Sequence, residues 1–336
     1  MPANLPPQYL KVRRQYELAK TNEEKIEALT EMLALIPKHK GTDKLRASLR
    51  TNLSRLRKEE QTSRKAGRRS DEYHIKRQGA GQVILVGAPN VGKSKILDVL
   101  TNANPEVADY PFTTQKPIVG MMPFENIHIQ LIDLPPVIGG AIQPQIMDMI
   151  KHIDLALIVV SLGSDDALEE IESIRSSLEQ ADIKLTLEAF EEKEIEEYSE
   201  EELLLIHVKA MIVGNKSDLE GSSARLDVLR ELYADEFPVI PISAATGSGL
   251  THLKEQIYKS LAIIRVYTKA PSKPADKTEP IILPKGSTVI EAAEELHKDF
   301  VNELKYARIW GKGKYDGQSL SREEVLEDED IVEFHV

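Results

Sequence analysis

Apolar residues recur at helical spacing in the first part of the chain. Two sets lie at steps of three or four residues: Ile26, Leu29, Leu33 and Ile36, then Leu45, Leu49, Leu53 and Leu56. Such spacing places the apolar side chains on one face of a helix. Thr21–Glu24 has the pattern of a capping box for the first helix, and Pro37 ends it. With the turn at Lys40–Asp43, the pattern predicts an antiparallel helical hairpin within residues 1–79.

Residues 80–262 alternate short, fully apolar runs with helical stretches. The runs are VILV at 83–86, IHIQLI at 127–132, LALIVV at 155–160, VKAMIV at 208–213 and PVIPI at 238–242. Strands that are apolar on both faces are typical of a parallel sheet covered by helices on both sides. This region is therefore predicted to be a doubly wound, mostly parallel α/β domain.

Residues 263–336 have a third pattern. The Pro- and Lys-rich stretch APSKPADKTEP at 270–280 has the composition of a linker. The following IILPKGSTVI predicts two short strands around a turn, and EAAEELHKDF predicts a helix. Val332, Phe334 and Val336 alternate with polar residues, as in a half-buried strand. A small mixed α/β domain is the expectation.

Charge is distributed unevenly along the chain. The net charge is −12, yet residues 1–80 hold 19 Lys+Arg and 10 Asp+Glu, which is +9. The basic residues of the second predicted helix and its extension are Arg46, Arg50, Arg55, Arg57, Lys58, Arg64, Lys65, Arg68 and Arg69. A local excess of one sign favours RNA as a partner of this arm. The alternative is a solvated helix face.

Composition narrows the class of protein. Hydrophobic residues make up 41% and charged residues 29%, as in ordinary globular proteins, and the absence of cysteine excludes disulfides and cysteine–metal sites. The N-terminus lacks a signal-peptide pattern, and the longest apolar run, near Ile153–Leu162, is too short for a membrane span. A cytoplasmic protein without membrane contact is the expectation.

The segment 188–202, with nine Glu and one Lys, is interpreted as a solvated acidic insertion.

The segment after the first apolar run matches the phosphate-loop pattern G-x-x-x-x-G-K-[ST]. Its residues are Gly87, Ala88, Pro89, Asn90, Val91, Gly92, Lys93 and Ser94. Backbone N–H groups of such a loop and the N-terminus of the following helix bind phosphate oxygens. Lys93 is predicted to reach the β- and γ-phosphates and Ser94 to ligate Mg²⁺. Because a strand pattern precedes the loop and a helix pattern follows it, a chance glycine loop is a poor alternative.

A second motif predicts the base. Asn215, Lys216, Ser217 and Asp218 follow the fourth apolar run. A carboxylate at Asp218 can accept two hydrogen bonds from guanine, whereas adenine would leave it unpaired. Ser243, Ala244 and Ala245 follow the fifth run and are predicted to form a third side of the pocket. Alone, each motif is compatible with a polar turn.

Two further positions are candidates for the metal. Asp133 ends the second apolar run and is predicted to hold Mg²⁺ through a water. Thr114, with Thr113 as the alternative, lies in the loop 110–114, where a threonine can ligate Mg²⁺ when the γ-phosphate orders the loop. For Asp133 the alternative is an ordinary aspartate at the end of a strand.

Together these motifs resemble the Obg-like GTPases, and most closely the developmentally regulated GTP-binding proteins. The segments that carry the resemblance are GAPNVGKS, ADYPFTTQ, IQLIDLPPVIGGA and NKSD, in the family's order. The tail resembles a TGS domain, a β-grasp module, through RVYTKAPSKPADKTEPIIL, LKYARIWGKGKY and LEDEDIVEFHV. The resemblance implies a P-loop GTPase domain at 80–262 between a basic helical hairpin at 1–79 and a TGS domain at 263–336. It also implies binding of GTP and GDP, weak hydrolysis, and association with ribosomes or RNA.

The chain departs from the family in two respects. The long insertions of the eukaryotic members are missing, with only the acidic stretch 188–202 nearby. The family's D-L-P-G reads Asp133-Leu134-Pro135-Pro136 here. The glycine's N–H contacts the γ-phosphate in that family, and proline has no N–H to donate. The resemblance further implies that hydrolysis uses K⁺ held partly by Asn90; alternatively, Asn90 is a turn residue with no ion.

Two functions from different classes follow from these observations. The first is a slow Mg²⁺-dependent GTPase acting at the ribosome, with Lys93, Thr114 and Asn90 as its catalytic residues. The second is a nucleotide-binding module that contacts RNA or ribosomes and hydrolyses GTP negligibly because of Pro136. The expected partners are guanine nucleotide and, through the basic arm and the TGS domain, ribosomal or structured RNA. A third reading has the arm docking an acidic protein regulator.

Overall fold

A computed structural model describes most of the chain. The described residues are 6–18, 22–37, 42, 46, 49–50, 52–54, 56–57, 75–101, 106–107, 117–136, 144–187, 205–270, 273–297, 300, 304–311 and 315–335. The acidic segment 188–202, Thr113, Thr114 and positions 137–140 lie outside them.

The basic arm contains one helix more than the pattern predicts. Helices α1 (Pro7–Leu18) and α2 (Asn22–Leu35) pack together, and the described positions from 46 to 57 are helical as well. The three stretches share a small core: Tyr9, Val12, Ala28, Leu29, Met32, Ile36, Leu49, Leu53 and Leu56. Helix α1 was missed because charged residues interrupt its apolar stripe. The arm thus has a core of its own, separate from the sheet domains.

One residue of the basic set is structural. The guanidinium of Arg46 is buried and donates a hydrogen bond to the carbonyl of Ile36 at 2.9 Å. This bond satisfies a carbonyl at the end of α2. Arg50 and Arg57 are exposed. The basic surface of the arm that is open to a partner is therefore smaller than the sequence suggests.

The central domain is built on a mainly parallel sheet, which confirms the predicted fold class. In chain order its elements are β1 (Gln82–Val86), α3 (Lys93–Thr101), β2 (Glu106–Val107), β3 (Ile118–Phe124), β4 (Ile127–Asp133), α4 (Pro144–Ile150), β5 (Leu155–Ser161), α5 (Ala167–Glu179), β6 (Ile183–Thr186), β7 (Ile206–Asn215), α6 (Ser222–Tyr233), β8 (Val239–Pro241) and α7 (Leu250–Leu261). Within the described residues the order is β2-β3-β4-β1-β5-β7-β6, and β8 pairs with β7. Only the β2–β3 and β3–β4 pairings among these strands are antiparallel.

Helices cover both faces of this sheet. Helix α3 packs on one face, where Ile96, Leu97 and Leu100 are fully buried. Helix α5 covers the other face with Ile171, Ile174 and Leu178. Each fully buried side chain of this kind contributes about 1.5–3 kcal/mol to folding. The carboxyl ends of the parallel strands then open at one edge, where ligands bind in folds of this type.

The segment before β1 belongs to the packing of the central domain. Ala80 N–H donates to the His128 carbonyl at 2.8 Å, and the Gln82 side chain donates to the Ile75 carbonyl at 3.2 Å. Gln130 donates to the carbonyl of Lys76 at 3.2 Å. Residues 75–81 therefore lie against β4.

A second, five-stranded sheet forms the C-terminal domain. Its elements are β9 (Ile263–Thr268), β10 (Asp276–Pro284), α8 (Val289–Leu296), β11 (Tyr306–Trp310), β12 (Gln318–Leu320) and β13 (Ile331–His335). The strand order in the described chain is β10-β9-β13-β11-β12, and α8 packs Val289, Ala292 and Ala293 into its core. The described residues of the linker-like stretch 270–280 lie within this domain: 270 and 273–275 precede β10, and 276–280 form its first part. The loop of a β-hairpin can share the composition of a linker.

Arg265 joins the two sheet domains. Its guanidinium donates to both carboxylate oxygens of Asp328, at 3.1 and 2.7 Å, and also bonds Glu125 of the β3–β4 turn. The turn residue Asn126 donates to the Tyr267 hydroxyl at 2.8 Å, and Arg265 lies over the ring of Tyr258. A buried guanidinium is stable only with such partners. The hairpin that ends in Asp133 at one end thus contacts the C-terminal domain at the other.

Candidate nucleotide-binding site

The predicted phosphate loop lies at the carboxyl edge of the sheet, between β1 and α3. A Cβ at Gly87 would lie 2.3 Å from the carbonyl oxygen of Val159. At Gly92, with φ of +101°, it would lie 2.3 Å from Nδ2 of Asn215. Glycine is required at both positions because the backbone approaches its neighbours so closely. The N–H of Ile96 donates to the Gly92 carbonyl at 2.9 Å and begins the helix there.

Lys93 lies inside this loop. Its ammonium donates to the carbonyls of Gly87 and Ala88, both at 2.9 Å, and the residue is buried. Burial lowers the pKa of Lys93 below its usual value, and the carboxylates of Asp133 and Glu170 oppose that shift. Within the described residues the acceptors of this cation are neutral carbonyl oxygens, although two carboxylates lie within its electrostatic reach.

Ser94 and Asp133 meet across the sheet edge. The Ser94 hydroxyl donates to Oδ2 of Asp133 at 2.5 Å. The other oxygen, Oδ1, is buried and has no hydrogen-bond partner within the described residues. Burial raises the pKa of Asp133, while the Ser94 hydroxyl and Lys93 lower it. A buried acceptor of this kind is costly unless a donor or a cation satisfies it. The pair thus has the hydroxyl and carboxylate oxygens that Mg²⁺ prefers.

Asn215 connects the phosphate loop to the predicted base pocket. Its Nδ2 donates to the carbonyl of Val91 at 2.8 Å, and its Oδ1 accepts from the N–H of Ala244 at 3.0 Å. The side chain is buried, so breaking either bond would leave polar atoms unsatisfied. One amide therefore holds the phosphate loop, the 215–218 turn and the 243–245 segment together.

The turn after Asn215 is fixed by hydrogen bonds of its own. Lys216 has φ of +64°, the N–H of Ser217 donates to the Ile242 carbonyl at 3.0 Å, and the Ser222 hydroxyl donates to the Ser217 carbonyl at 2.8 Å. These bonds leave Asp218 exposed at the tip of the turn. Its carboxylate is accessible to a ligand.

The 243–245 segment lies beside this turn. Ser243 is fully buried, and its hydroxyl oxygen accepts from the N–H of Thr246 at 3.1 Å. Ala244 is buried as well, whereas Ala245 is exposed. Ser243 therefore fixes the loop through a hydrogen bond of its buried hydroxyl, and Ala245 lies at the protein surface.

Other predicted positions are less defined. Thr114 and its alternative Thr113 lie outside the described residues. Asn90 is exposed with φ of +63°, a left-handed conformation that asparagine tolerates in turns. Pro89 is exposed and Val91 is buried in the core of the sheet. Pro136 is exposed just beyond Leu134, whose N–H donates to the Leu85 carbonyl at 3.3 Å.

The structure adds one charged residue to this edge that the sequence analysis missed. Glu170, in the first turn of α5, has a buried Oε2 without a hydrogen-bond partner in the described part of the chain. Burial raises the pKa of Glu170 and Asp166 adds to the shift, whereas Lys93 and Lys216 lower it. Glu170 was missed because acidic residues in the first turn of a helix are ordinary helix stabilisers.

Comparisons with known proteins identify the domains. Residues 82–210 match the family described as "50S ribosome-binding GTPase", and residues 264–336 match the TGS domain. A solved GTP-binding protein of Pyrococcus horikoshii OT3 is similar in fold, with a TM-score of 0.50 and 16% identity over 76% of this chain and 99% of that one. No helix in the described part of the chain is long and apolar enough to cross a membrane.

Relatives of known sequence extend over nearly the whole chain. Developmentally-regulated GTP-binding protein 2 of Homo sapiens is 26% identical over 92% of this chain and 98% of its own length. A GTP-binding protein of Methanocaldococcus jannaschii is 31% identical over 92% of both chains. The protein therefore belongs to the family of the developmentally regulated GTP-binding proteins, and it is a guanine-nucleotide-binding protein with a P-loop GTPase domain and a TGS domain.

Proposed function

We propose that this protein is a slow, Mg²⁺-dependent GTPase that works in association with ribosomes or structured RNA. The observation that carries the proposal is the bridge made by Asn215, which holds the phosphate loop and the 243–245 segment in one site. A nucleotide bound there contacts the loop with its phosphates and the 215–218 turn with its base. The description "50S ribosome-binding GTPase" of the family that matches residues 82–210 supports the ribosomal part.

On the phosphate side, Lys93 is the main cation. Its ammonium now bonds two neutral carbonyls, and phosphate oxygens would be stronger, anionic acceptors for it. The backbone N–H groups from Asn90 to Ser94 and the N-terminus of α3 complete the phosphate contacts. This arrangement orients the β- and γ-phosphates.

On the metal side, we assign Ser94 and Asp133 to Mg²⁺, with Thr114 as the ligand that depends on the γ-phosphate. The 2.5 Å contact of Ser94 with Asp133 fits a hydrated cation, and so does Oδ1 of Asp133, which has no hydrogen-bond partner among the described residues. When bound, Mg²⁺ neutralises charge on the phosphate oxygens. K⁺ at Asn90 remains a proposal from the family resemblance, and the left-handed turn at Asn90 is equally compatible with the absence of an ion.

On the base side, Asp218 accepts from the guanine N1–H and 2-amino group. Ala244 and Ala245 follow β8 beside the 215–218 turn and are proposed to line another side of the pocket. Ser243 acts indirectly, because its hydroxyl holds the loop through Thr246.

A turnover experiment tests the enzymatic part. We expect GTP hydrolysis at about 10⁻⁴ to 10⁻² per second, the range of unassisted GTPases, with loss of activity in EDTA. Turnover should be faster in K⁺ than in Na⁺ and faster with ribosomes than without. Rates equal to those of Lys93→Met in all four conditions would show instead a binding module with negligible hydrolysis, the function that Pro136 favours.

Charge substitutions in the arm test the RNA part. The double variant Arg50→Gln, Arg57→Gln should bind ribosomal RNA more weakly, because each phosphate contact that is lost reduces the number of counterions released on binding. The slope of log K against log salt should flatten by about 1.4 for single strands or about 1.8 for duplex. The matched control is Arg230→Gln, Lys259→Gln, which removes two exposed charges from helices of the GTPase domain.

An unchanged slope in the arm variant would mean that Arg50 and Arg57 belong only to a solvated helix face. If ribosome cosedimentation of the wild type survives RNase while the arm variant loses it, the arm binds an acidic protein partner. Both results would overturn RNA binding by the arm.

A further inference from the structure

Within the described residues, part of one face of the TGS sheet is covered neither by α8 nor by the GTPase domain. Helix α8 and the core residues Ile264, Val266, Ala307, Ile309 and Val332 occupy the inner face. On the outer face, Arg265 and Tyr267 of β9 contact the β3–β4 turn of the GTPase domain. The remaining part of the outer face lies on β11 and β13.

Aromatic rings dominate this remaining part. Tyr306 pairs with His335 across the strands, and their rings stack with centroids 4.3 Å apart and planes within 13°. Trp310 lies four residues along β11, and its ring faces the Lys269 ammonium at 4.3 Å. Arg308 lies between them, with its guanidinium 5.9 Å from the Tyr306 ring. We call Tyr306, Arg308, Trp310 and His335 the aromatic face.

The described charges beside these rings are the cations Lys269 and Arg308 and the carboxylate Glu333, on a domain with a net negative charge. Residues 264–336 hold 11 Lys+Arg and 15 Asp+Glu. Helix α8, on the opposite side of the sheet, contributes Glu291, Glu294 and Glu295, which are exposed. The carboxylate on the side of the rings, Glu333, is buried and bonded to Lys269 at 2.6 Å and to His335 at 2.7 Å.

These pairings leave Arg308 as the exposed cation of the aromatic face. Lys269 bonds Glu333, and the hydrogen bond from Lys269 is the main cause that lowers the pKa of Glu333. Arg308 is exposed and lies opposite Glu333 in the strand register. In the sequence, Lys312 and Lys314 follow Trp310 closely, outside the described residues. An anion that also carries flat rings could pair with the Arg308 cation and stack on the aromatic rings.

We propose that the aromatic face binds single-stranded RNA, with bases stacked on Tyr306 and Trp310 and a phosphate on Arg308. The proposal rests on the RNA association argued above and assigns part of it to the TGS domain. Aromatic side chains on an open sheet face stack unpaired bases in other RNA-binding folds, whereas bases inside a duplex are not accessible to them. Tyr306 and Trp310 are separated by about 13 Å along the strand, which suits two or three nucleotides.

Trp310 makes the binding observable in the full-length protein, because it is the only tryptophan of the chain. Addition of a decauridylate should change its fluorescence, and an RNA duplex of equal length should change it far less. Fluorescence anisotropy of a labelled decauridylate then gives Kd. No change in tryptophan fluorescence while anisotropy shows saturation would overturn the proposal.

Substitutions at Tyr306 and Arg308 distinguish the contribution of base stacking to RNA affinity from that of charge. Tyr306→Ala should raise Kd by about 5- to 150-fold, whereas Tyr306→Phe should stay near wild type because the ring remains. Arg308→Gln should flatten the salt slope by about 0.7, and the matched control Arg230→Gln should not. Tyr306 is exposed, so its loss should not unfold the domain; thermal unfolding checks this, and Arg308→Gln keeps the test independent of it.

The aromatic face and the arm are distinguishable in the same assays. The arm variant Arg50→Gln, Arg57→Gln should retain the tryptophan response to decauridylate even if it loses structured RNA. Equal Kd values for wild type, Tyr306→Ala and Arg308→Gln would overturn the aromatic face and leave the arm untouched. Loss of structured RNA binding by the arm variant alone would leave the aromatic face standing.

Discussion

Asp218→Asn is expected to weaken GTP binding by about 1.5–3 kcal/mol, which is roughly 10- to 150-fold in Kd. The carboxylate is proposed to accept two hydrogen bonds from guanine, and an amide can accept only at its oxygen. The amide can donate instead to the 2-oxygen of xanthine. The same variant should therefore bind xanthosine triphosphate better than wild type does, so that the ratio of the two affinities changes by more than either Kd.

The fold should survive this substitution. Asp218 is exposed, and the backbone of its turn is held by Ser217, Ser222 and the buried Asn215 rather than by its own side chain. The matched control is Asp235→Asn. It removes the same charge just beyond the far end of α6, about 18 Å along the helix. Titration of fluorescent guanine and xanthine nucleotides against both variants measures the effect; an Asp218→Asn protein that binds GTP as tightly as wild type would remove Asp218 from the base pocket.

The strands that the sequence predicts are those with continuous apolar runs. The runs at 83–86, 127–132 and 155–160 correspond to β1, β4 and β5, which lie in the middle of the sheet and are buried on both faces. β3 is half-buried, contains Gly120 and Pro123, and pairs antiparallel with β4. The four-residue β6 lies at the edge of the sheet. Such strands lack the signal of a buried run, because their burial depends on neighbours that the local pattern does not specify.

The residues of the site also divide into those that local motifs indicate and those that they do not. Local motifs indicate the phosphate loop, because its glycines, lysine and serine form one short contiguous pattern. The neighbours that require glycine at positions 87 and 92, Val159 and Asn215, come from other strands. Local motifs do not indicate that Asn215 bridges Val91 and Ala244, residues far apart in sequence. Glu170 and the Arg265 network were also missed, since both depend on which elements pack together. The assignments of Lys93, Ser94, Asp133 and Asp218 to ligand atoms stay predictions.

The β3–β4 hairpin, which ends in Asp133 at the nucleotide edge, also contacts the TGS domain. Asp133 ends β4 at the nucleotide edge, and Glu125 and Asn126 at the opposite end of the hairpin bond Arg265 and Tyr267. A hairpin held at its turn moves less freely at its other end. The residues after Asp133, whose response to the γ-phosphate is part of the proposed function, therefore follow a strand whose hairpin is bonded to the TGS domain.

Pro136→Gly is expected to raise affinity for a non-hydrolysable GTP analogue by about 10- to 150-fold and to leave GDP affinity unchanged. The substitution restores an N–H that can donate to the γ-phosphate, and a charge-assisted hydrogen bond contributes about 1.5–3 kcal/mol. GDP has no γ-phosphate, so it should not respond. Turnover should rise as well, because the GTP-ordered population of the loop increases by the same factor.

Pro136→Gly should leave the core of the domain intact. Leu134 is 2% exposed and bonded to β1, whereas Pro136 is exposed and contributes no side chain to the core. Glycine at this position also adds backbone freedom, which by itself disfavours the ordered loop. Pro136→Ala separates the two effects, since alanine has the N–H without that freedom.

If the missing donor is the cause, Pro136→Ala and Pro136→Gly should both gain affinity for the analogue, measured by titration calorimetry beside GDP. If only glycine gains, the loop needs a conformation that proline and alanine cannot adopt. Equal analogue affinity and equal turnover in all three proteins would mean that the N–H of Val137, or a different path through Gly139 and Gly140, already supplies the contact. In that case Pro136 no longer favours the binding module over the GTPase.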